Sequence, residues 1–202
     1  TSWYWPQVFD VDAHAYVLLV LAFSLLWAML GHYRRFGIEG ALANCGASCL
    51  AMLYLGGLGA FVVAVRVEIG LWEVLMLICV VKCSDIGAYT FGKLFGKHKF
   101  SPRVSPGKTW EGLAGAMVAA MAVSLAFVAL FDTMRWWQSL VFGAGFAVIG
   151  QMGDLAESIM KRDAGQKDSS NRVPGFGGIL DVIDSPLVAA PFGYLFFRFV
   201  VL

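Results

Sequence analysis

"WEGLAGAMVAAMAVSLAFVALF", residues 110–131, carries one charged side chain, Glu111, near its head and none afterwards. Crossing a bilayer takes roughly 20 mostly apolar residues of helix, and a segment in lipid must satisfy its own backbone groups. The stretch therefore predicts a membrane-spanning helix. Five more stretches of similar character lie around it: 13–30, 40–65, 70–92, 136–160 and 186–202. About six spans predict an all-α fold, a polytopic transmembrane helix bundle. Composition agrees, with 59% hydrophobic residues and 14% charged, against about 25% charged in a soluble domain.

The connections carry the orientation signal. Arg34 and Arg35 follow the first span, Lys93, Lys97, Lys99, Arg103 and Lys108 the third, and Lys161, Arg162, Lys167 and Arg172 the fifth. The alternate connections offer Arg66 and Arg135. By the positive-inside rule the loops at 32–39, 93–109 and 161–185 face the cytoplasm. The predicted location is a bacterial cytoplasmic membrane, with any site on these loops open to the cytoplasm. Trp3, Tyr4 and Trp5 near the start, and Trp136 and Trp137 at a span boundary, fit an interfacial aromatic belt. A formal net charge of +1 exerts no global pull on nucleic acid, so no nucleic-acid partner is expected. The chain begins at Thr1 without a signal-peptide pattern, and it is read as a piece of a longer protein with further spans upstream.

Two parts are distinguished by motif: residues 1–79 hold apolar helices without one, and residues 80–202 hold every motif that suggests chemistry. Cys45 with Cys49 and Cys79 with Cys83 stand at i,i+4 on one helix face and are read as apolar filler. His14, His32 and His98 suggest no ligand set. Gly112 with Gly115, and Gly143 with Gly145, allow close helix approach.

Ionisable residues inside spans are costly and face a bundle interior or a water-filled cavity. Glu73, Lys82 and Asp85 fall in the third span, and Asp154 and Glu157 in the fifth; Lys82 and Asp85, three apart, can pair on one helix face. Asp154 has no cation within the preceding helical turn, and an unpaired carboxylate at membrane depth protonates or finds a cation. A divalent metal is the economical partner.

Downstream, "KRDAGQKDSSNRVPGFGGILDVID", residues 161–184, gathers the rest of the chemistry. Asp168, Asp181 and Asp184 are oxygen ligands of the kind Mg²⁺ takes together with substrate phosphates. Lys161, Arg162, Lys167 and Arg172 are the cations phosphates take, and "PGFGG" lets backbone amides approach an anion. Asp181 and Asp184 share a face if a helix begins there, and Asp154 can meet them across a helix interface. In the other basic loop, "SPGKTWEG", residues 105–112, places Ser105, Lys108 and Thr109 at a helix start that favours anions. Without a preceding strand or the G-x-x-x-x-G-K-[ST] spacing, it is not read as a P-loop. Carboxylates, cations and glycines together suggest a nucleotide phosphate with a metal.

"SIMKRDAGQKDSSNRVPGFGGILDVID", with "SDIGAYTFGKLFGKHK", "SPGKTWEG" and "GDLAES", closely resembles the signature of the CDP-diacylglycerol synthase (phosphatidate cytidylyltransferase) family over roughly residues 80–186. Ser158, Lys161, Arg162, Lys167, Asp168, Pro174, Gly175, Gly177, Gly178, Asp181 and Asp184 occupy matching positions. Phe176 stands where that family usually has His, and Val182 where it usually has Arg. The resemblance implies a membrane cytidylyltransferase joining CTP and phosphatidic acid into CDP-diacylglycerol and pyrophosphate. It implies Asp154 and Asp181 as ligands of Mg²⁺, with room for a second cation, and Lys161, Arg162, Lys167 and Arg172 as phosphate-gripping residues. It further implies Asp168 and Asp184 as supporting carboxylates, Ser105, Lys108, Thr109 and Glu111 as cavity residues, and a homodimer. Two other readings stay open: a related CTP-dependent lipid-alcohol kinase, and a non-enzymatic cation-conducting membrane protein.

Overall fold

The computed structural model describes residues 13–166 and 179–201. Its elements are α1 (Ala13–Phe36), α2 (Ala41–Ala51), α3 (Leu58–Ala64), α4 (Leu71–Phe95), β1 (Lys99–Ser101), β2 (Ser105–Thr109), α5 (Trp110–Phe131), α6 (Trp136–Asp163) and α7 (Ile179–Phe196). Short π-helical segments, Met52–Gly57, Val65–Ile69 and Phe197–Val201, extend α2, α3 and α7. Five helical stretches are long and apolar enough to cross a membrane: Ala41–Ile69, Leu71–Phe95, Trp110–Phe131, Trp136–Asp163 and Leu180–Val201. The protein is an integral membrane helix bundle, as its apolar runs require.

The chain divides into two compact units, residues 1–56 and 57–202. In the first, α2 packs on α1 through a tight turn whose Gly37 and Gly40 adopt φ of 70° and 66°, a region that side-chain-bearing residues rarely enter. His32 braces this turn: Nε2 donates to the Glu39 carbonyl at 2.9 Å, and Nδ1 accepts from Asn44 Nδ2 at 3.4 Å.

In the second unit α4 lies against α5, α6 and α7, α5 against α6, and α6 against α7, while α3 packs on α7. Helical spacing puts Met76, Leu77, Val80 and Val81 on one face of α4. They meet Ala116 and Ala120 of α5, Phe142, Phe146 and Ala147 of α6, and Ala189 and Ala190 of α7 in one buried core. The outer faces are apolar as well, for example Val118, Leu130 and Val141, which suits a lipid surround and not water. The buried Ser124 hydroxyl donates to the Ser139 carbonyl at 2.8 Å, so this polar contact between α5 and α6 is satisfied internally.

Small residues set the spacing of α4 and α5. A Cβ on Gly87 would stand 2.7 Å from Ala119 Cβ and 2.8 Å from the Gly115 carbonyl oxygen. Gly143 likewise faces Met121 backbone, but a Cβ on Gly145 meets nothing within 4 Å. The expectation for Gly145 is thus corrected, because it lies on the opposite side of α6 from its near neighbour.

Two loop boundaries also differ from expectation. The segment 93–109 is not a plain loop: α4 continues to Phe95, and β1 pairs antiparallel with β2, Lys99 opposite Thr109. Strands this short, with Pro102 and Pro106 at hand, carry no alternating pattern to read. The segment 161–185 is largely helical at its ends, since α6 runs to Asp163 and α7 starts at Ile179, not Pro186. Pro186 and Pro191 lie within α7, where neighbouring helices make the lost backbone bonds tolerable.

Gly87→Val should lower the thermal stability of the detergent-purified protein by about 1–3 kcal/mol through overpacking, while Gly145→Val should stay within about 0.5 kcal/mol of wild type. Equal melting temperatures for the two variants would show that α4 and α5 do not approach as closely as described.

Candidate active site

Asp154, Glu157 and Lys161 recur at i, i+3 and i+7 on α6 and therefore share a face. Asp181 and Asp184 form the matching pair on the first turns of α7, and Lys82 and Asp85 the pair on α4. The β1–β2 hairpin contributes Lys108. Its aim is set by Thr109, which closes β2 in an extended conformation and caps α5 by accepting from the Gly112 amide at 3.1 Å. Glu111, in the first turn of α5, accepts from the His98 amide and holds its ring Nδ1 at 2.6 Å. Hairpin and helix start are thereby fastened together.

These groups form one network. Lys108 Nζ stands 2.8 Å from Asp154 Oδ2 and donates to the Gln151 carbonyl at 2.9 Å. Gln151 Nε2 donates to Asp85 Oδ1 at 3.3 Å, and Lys82 Nζ reaches Asp85 Oδ2 at 3.2 Å and Asp184 Oδ1 at 3.9 Å. Lys161 Nζ lies between Glu157 Oε2 at 2.8 Å and Asp181 Oδ1 at 2.9 Å. A cavity of about 560 Å³ opens on it, lined by Asp154, Asp181 and Asp184, by Lys93, Lys99 and Lys108, and by Ser105 and Thr109.

Burial decides what the network lacks. Glu157 and Asp184 are 1% and 2% exposed, and a buried carboxylate is strongly unfavourable unless compensated. Among the described residues, five carboxylates meet three lysine ammoniums in these contacts, with Lys93 and Lys99 also on the cavity wall. Asp154, Glu157 and Asp184 place oxygens within 4.8 Å of one another. Among the described residues, Glu157 Oε1 is buried without a hydrogen-bond partner. An all-oxygen donor set of this kind fits a hard divalent cation.

Asp154 does have a protein cation, contrary to the sequence expectation: Lys108 arrives from the hairpin, a partner that no helical-turn search along α6 can find. Lys161 is 18% exposed at its side chain and bound to Glu157 and Asp181, so it braces the carboxylates and does not line the cavity. Arg162 is exposed at the end of α6. Lys167, Asp168, Arg172 and Phe176 lie outside the described residues. Val182 is 38% exposed on α7. Reasoning from sequence placed Glu157 inside the fifth span without a role in an enzyme site, and it missed Gln151, Lys93 and Lys99 as site residues. Glu157, three residues after Asp154, was recoverable from helical spacing.

The cytidylyltransferase family model matches residues 2–200. The phosphatidate cytidylyltransferase of Haemophilus influenzae is 40% identical over 136 residues, covering 65% of this chain and 47% of that protein. That of Staphylococcus aureus is 37% identical over 189 residues, covering 93% of this chain and 69% of that protein. The uncharacterized protein YnbB of Escherichia coli is 40% identical over 134 residues, 66% of this chain and 45% of that protein. The chain thus spans about half the length of two of these relatives and about two thirds of the third. A match over nearly its whole length, together with the clustered carboxylates and lysines, shows that the chain belongs to the cytidylyltransferase family.

Proposed function

We propose that this chain carries the catalytic part of a phosphatidate cytidylyltransferase, which joins CTP and phosphatidic acid to give CDP-diacylglycerol and pyrophosphate. The observation that carries the reading is the group of carboxylates on Asp154, Glu157 and Asp184, with oxygens within 4.8 Å, set against Lys108 on a cavity of about 560 Å³. A cavity of that size accommodates a nucleotide-sized ligand. The names of the relatives support the same substrates, and the family membership supports the reaction class.

Chemically, a phosphate oxygen of the lipid attacks the α-phosphorus of CTP, and the bond to the β-phosphate oxygen breaks to release pyrophosphate. No protein nucleophile is needed. The obstacle is the meeting of two polyanions, so catalysis rests on positioning and charge neutralisation. Asp154, with Asp181 and Asp184 of α7 and Glu157 beside it, would hold Mg²⁺. When bound, the ion would neutralise phosphate charge and align the attacking and leaving oxygens. Lys108, Lys93 and Lys99 on the cavity wall would bind phosphate oxygens directly. Lys161, in contact with Glu157 Oε2 and Asp181 Oδ1, holds the two carboxylates in place. Ser105 and Thr109 offer hydroxyls at the N-terminus of α5, where the backbone favours anions. Arg162 and Lys167, by the signature they share with the family, and Arg172 beside them are assigned to the same phosphate-binding rim, with Asp168 as a supporting carboxylate. Placement of this rim on the cytoplasmic side of a bacterial membrane, and assembly as a homodimer, complete the proposal.

Purified protein given CTP, Mg²⁺ and phosphatidic acid should release pyrophosphate and CDP-diacylglycerol, and Asp154→Asn and Lys108→Ala should each lower kcat/KM by about a hundredfold or more. Release of CDP with transfer of the γ-phosphate, or no CTP turnover in any lipid mixture, would sink the reading. The two departures from the family signature supply a separate check. Phe176→His combined with Val182→Arg should preserve or raise turnover in the same assay, and a sharp loss would show a site rebuilt around Phe176 and Val182.

A further inference from the structure

A second cavity, of about 1000 Å³, lies between α1 and α2 and shares no lining residue with the candidate active site. Trp27, Gly31 and Arg34 recur at i, i+4 and i+7 along α1, so they run down one side of that helix. Asn44, Ala47 and Ser48 of α2 form the facing wall. The lining changes character along its length. It is apolar at Trp27 and Leu30, and it becomes polar and cationic at Arg34, Arg35 and Asn44, next to the Gly37–Gly40 turn. Trp27 is 72% exposed, so the apolar end is open to a ligand.

The cations at the polar end are uncommitted. Arg34 and Arg35 are exposed in the last turn of α1, and among the described residues neither is in an ion pair. Glu39, the one acidic side chain among the described residues of this unit, does not line the cavity. His32 is buried, and its ring nitrogens are engaged by the Glu39 carbonyl and the Asn44 side chain. It therefore fixes the turn and holds Asn44 beside the arginines.

We infer that this cavity binds an anionic phospholipid, with the headgroup phosphate on Arg34 and Arg35 and an acyl chain along Trp27 and Leu30. Basic pockets between membrane helices at the bilayer surface take anionic headgroups, and a guanidinium can grip a phosphate bidentately. A soluble anion matches the arginines but leaves the apolar wall uncovered. A zwitterionic lipid matches the wall but brings its own ammonium to the arginines. A lipid of net negative charge matches both ends. The inference is independent of the metal and nucleotide reading, because the two cavities have no residue in common.

The full chain in phosphatidylcholine nanodiscs, titrated with phosphatidylglycerol brominated on its acyl chains, tests this through Trp27. The signal is the quenching in wild type that Trp27→Phe lacks. Brominated phosphatidylglycerol should reach half-quenching at about a tenfold lower mole fraction than brominated phosphatidylcholine. Arg34→Gln combined with Arg35→Gln should abolish that preference, whereas Arg66→Gln, away from the cavity, should keep it. Ala47→Trp, which fills the cavity and leaves both arginines, should weaken Trp27-dependent quenching by either lipid. Equal quenching by the two lipids in wild type overturns the inference, as does an equal loss in Arg66→Gln or an Ala47→Trp curve that matches wild type. Displacement by inorganic phosphate would assign the cavity to a soluble anion and overturn it too.

Discussion

Asp85, Asp154, Glu157, Asp181 and Asp184 converge at one end of an apolar helix bundle, and their neutralisation there is the constraint on which the site depends. Each ammonium is shared: Lys82 between Asp85 and Asp184, Lys161 between Glu157 and Asp181, and Lys108 between Asp154 and the Gln151 carbonyl. Among the described residues, carboxylates outnumber ammoniums in these contacts. In water such a deficit would be trivial, but in a desolvated bundle it is a strong demand for a cation. A cluster that favours recruiting positive charge suits the proposed reaction, in which two phosphate-bearing molecules have to meet.

The β1–β2 hairpin is small, but it decides where Lys108 goes. Without it, the lysine would be one more basic side chain near the membrane surface. The Thr109 cap, the His98–Glu111 contact and the Lys99–Thr109 pairing hold the strand end against the first turn of α5, and α5 approaches α4 closely where Gly87 faces Ala119 and the Gly115 backbone and Gly115 faces the Phe91 ring. Tight helix packing, a capped helix start and a directed ammonium form one mechanical chain. Rigid elements of this kind place catalytic groups more precisely than a free loop does.

Much of the fold was legible in sequence because bilayer spans have a fixed length and little tolerance for charge. The run at residues 110–131 could scarcely be anything but a helix in lipid. The start of α7 was less legible: Pro186 looks like a helix beginning, yet α7 passes through it, since neighbouring helices compensate its missing amide. The hairpin was illegible for a different reason. "SPGKT" has neither the length nor the alternation of a strand, and it is extended because it is clamped between β1 and α5. Glu157 was visible beside Asp154 as an ionisable residue inside a span, but its place in the carboxylate cluster depends on α7 bringing Asp184 to it.

Residue types and local spacing determined, by themselves, that the protein is a membrane helix bundle, and they marked Asp154, Asp181 and Asp184 as candidates for a site that takes a phosphate with a metal. These properties follow from short-range rules: how many apolar residues cross a bilayer, and which side chains lie three or four apart on a helix. Which lysine answers which carboxylate was decided only by the tertiary structure. Lys108 meets Asp154, and Lys82 meets Asp184, across helix interfaces that no local periodicity encodes, because ion pairing in a desolvated interior is settled by distances of a few ångströms between segments far apart in the chain.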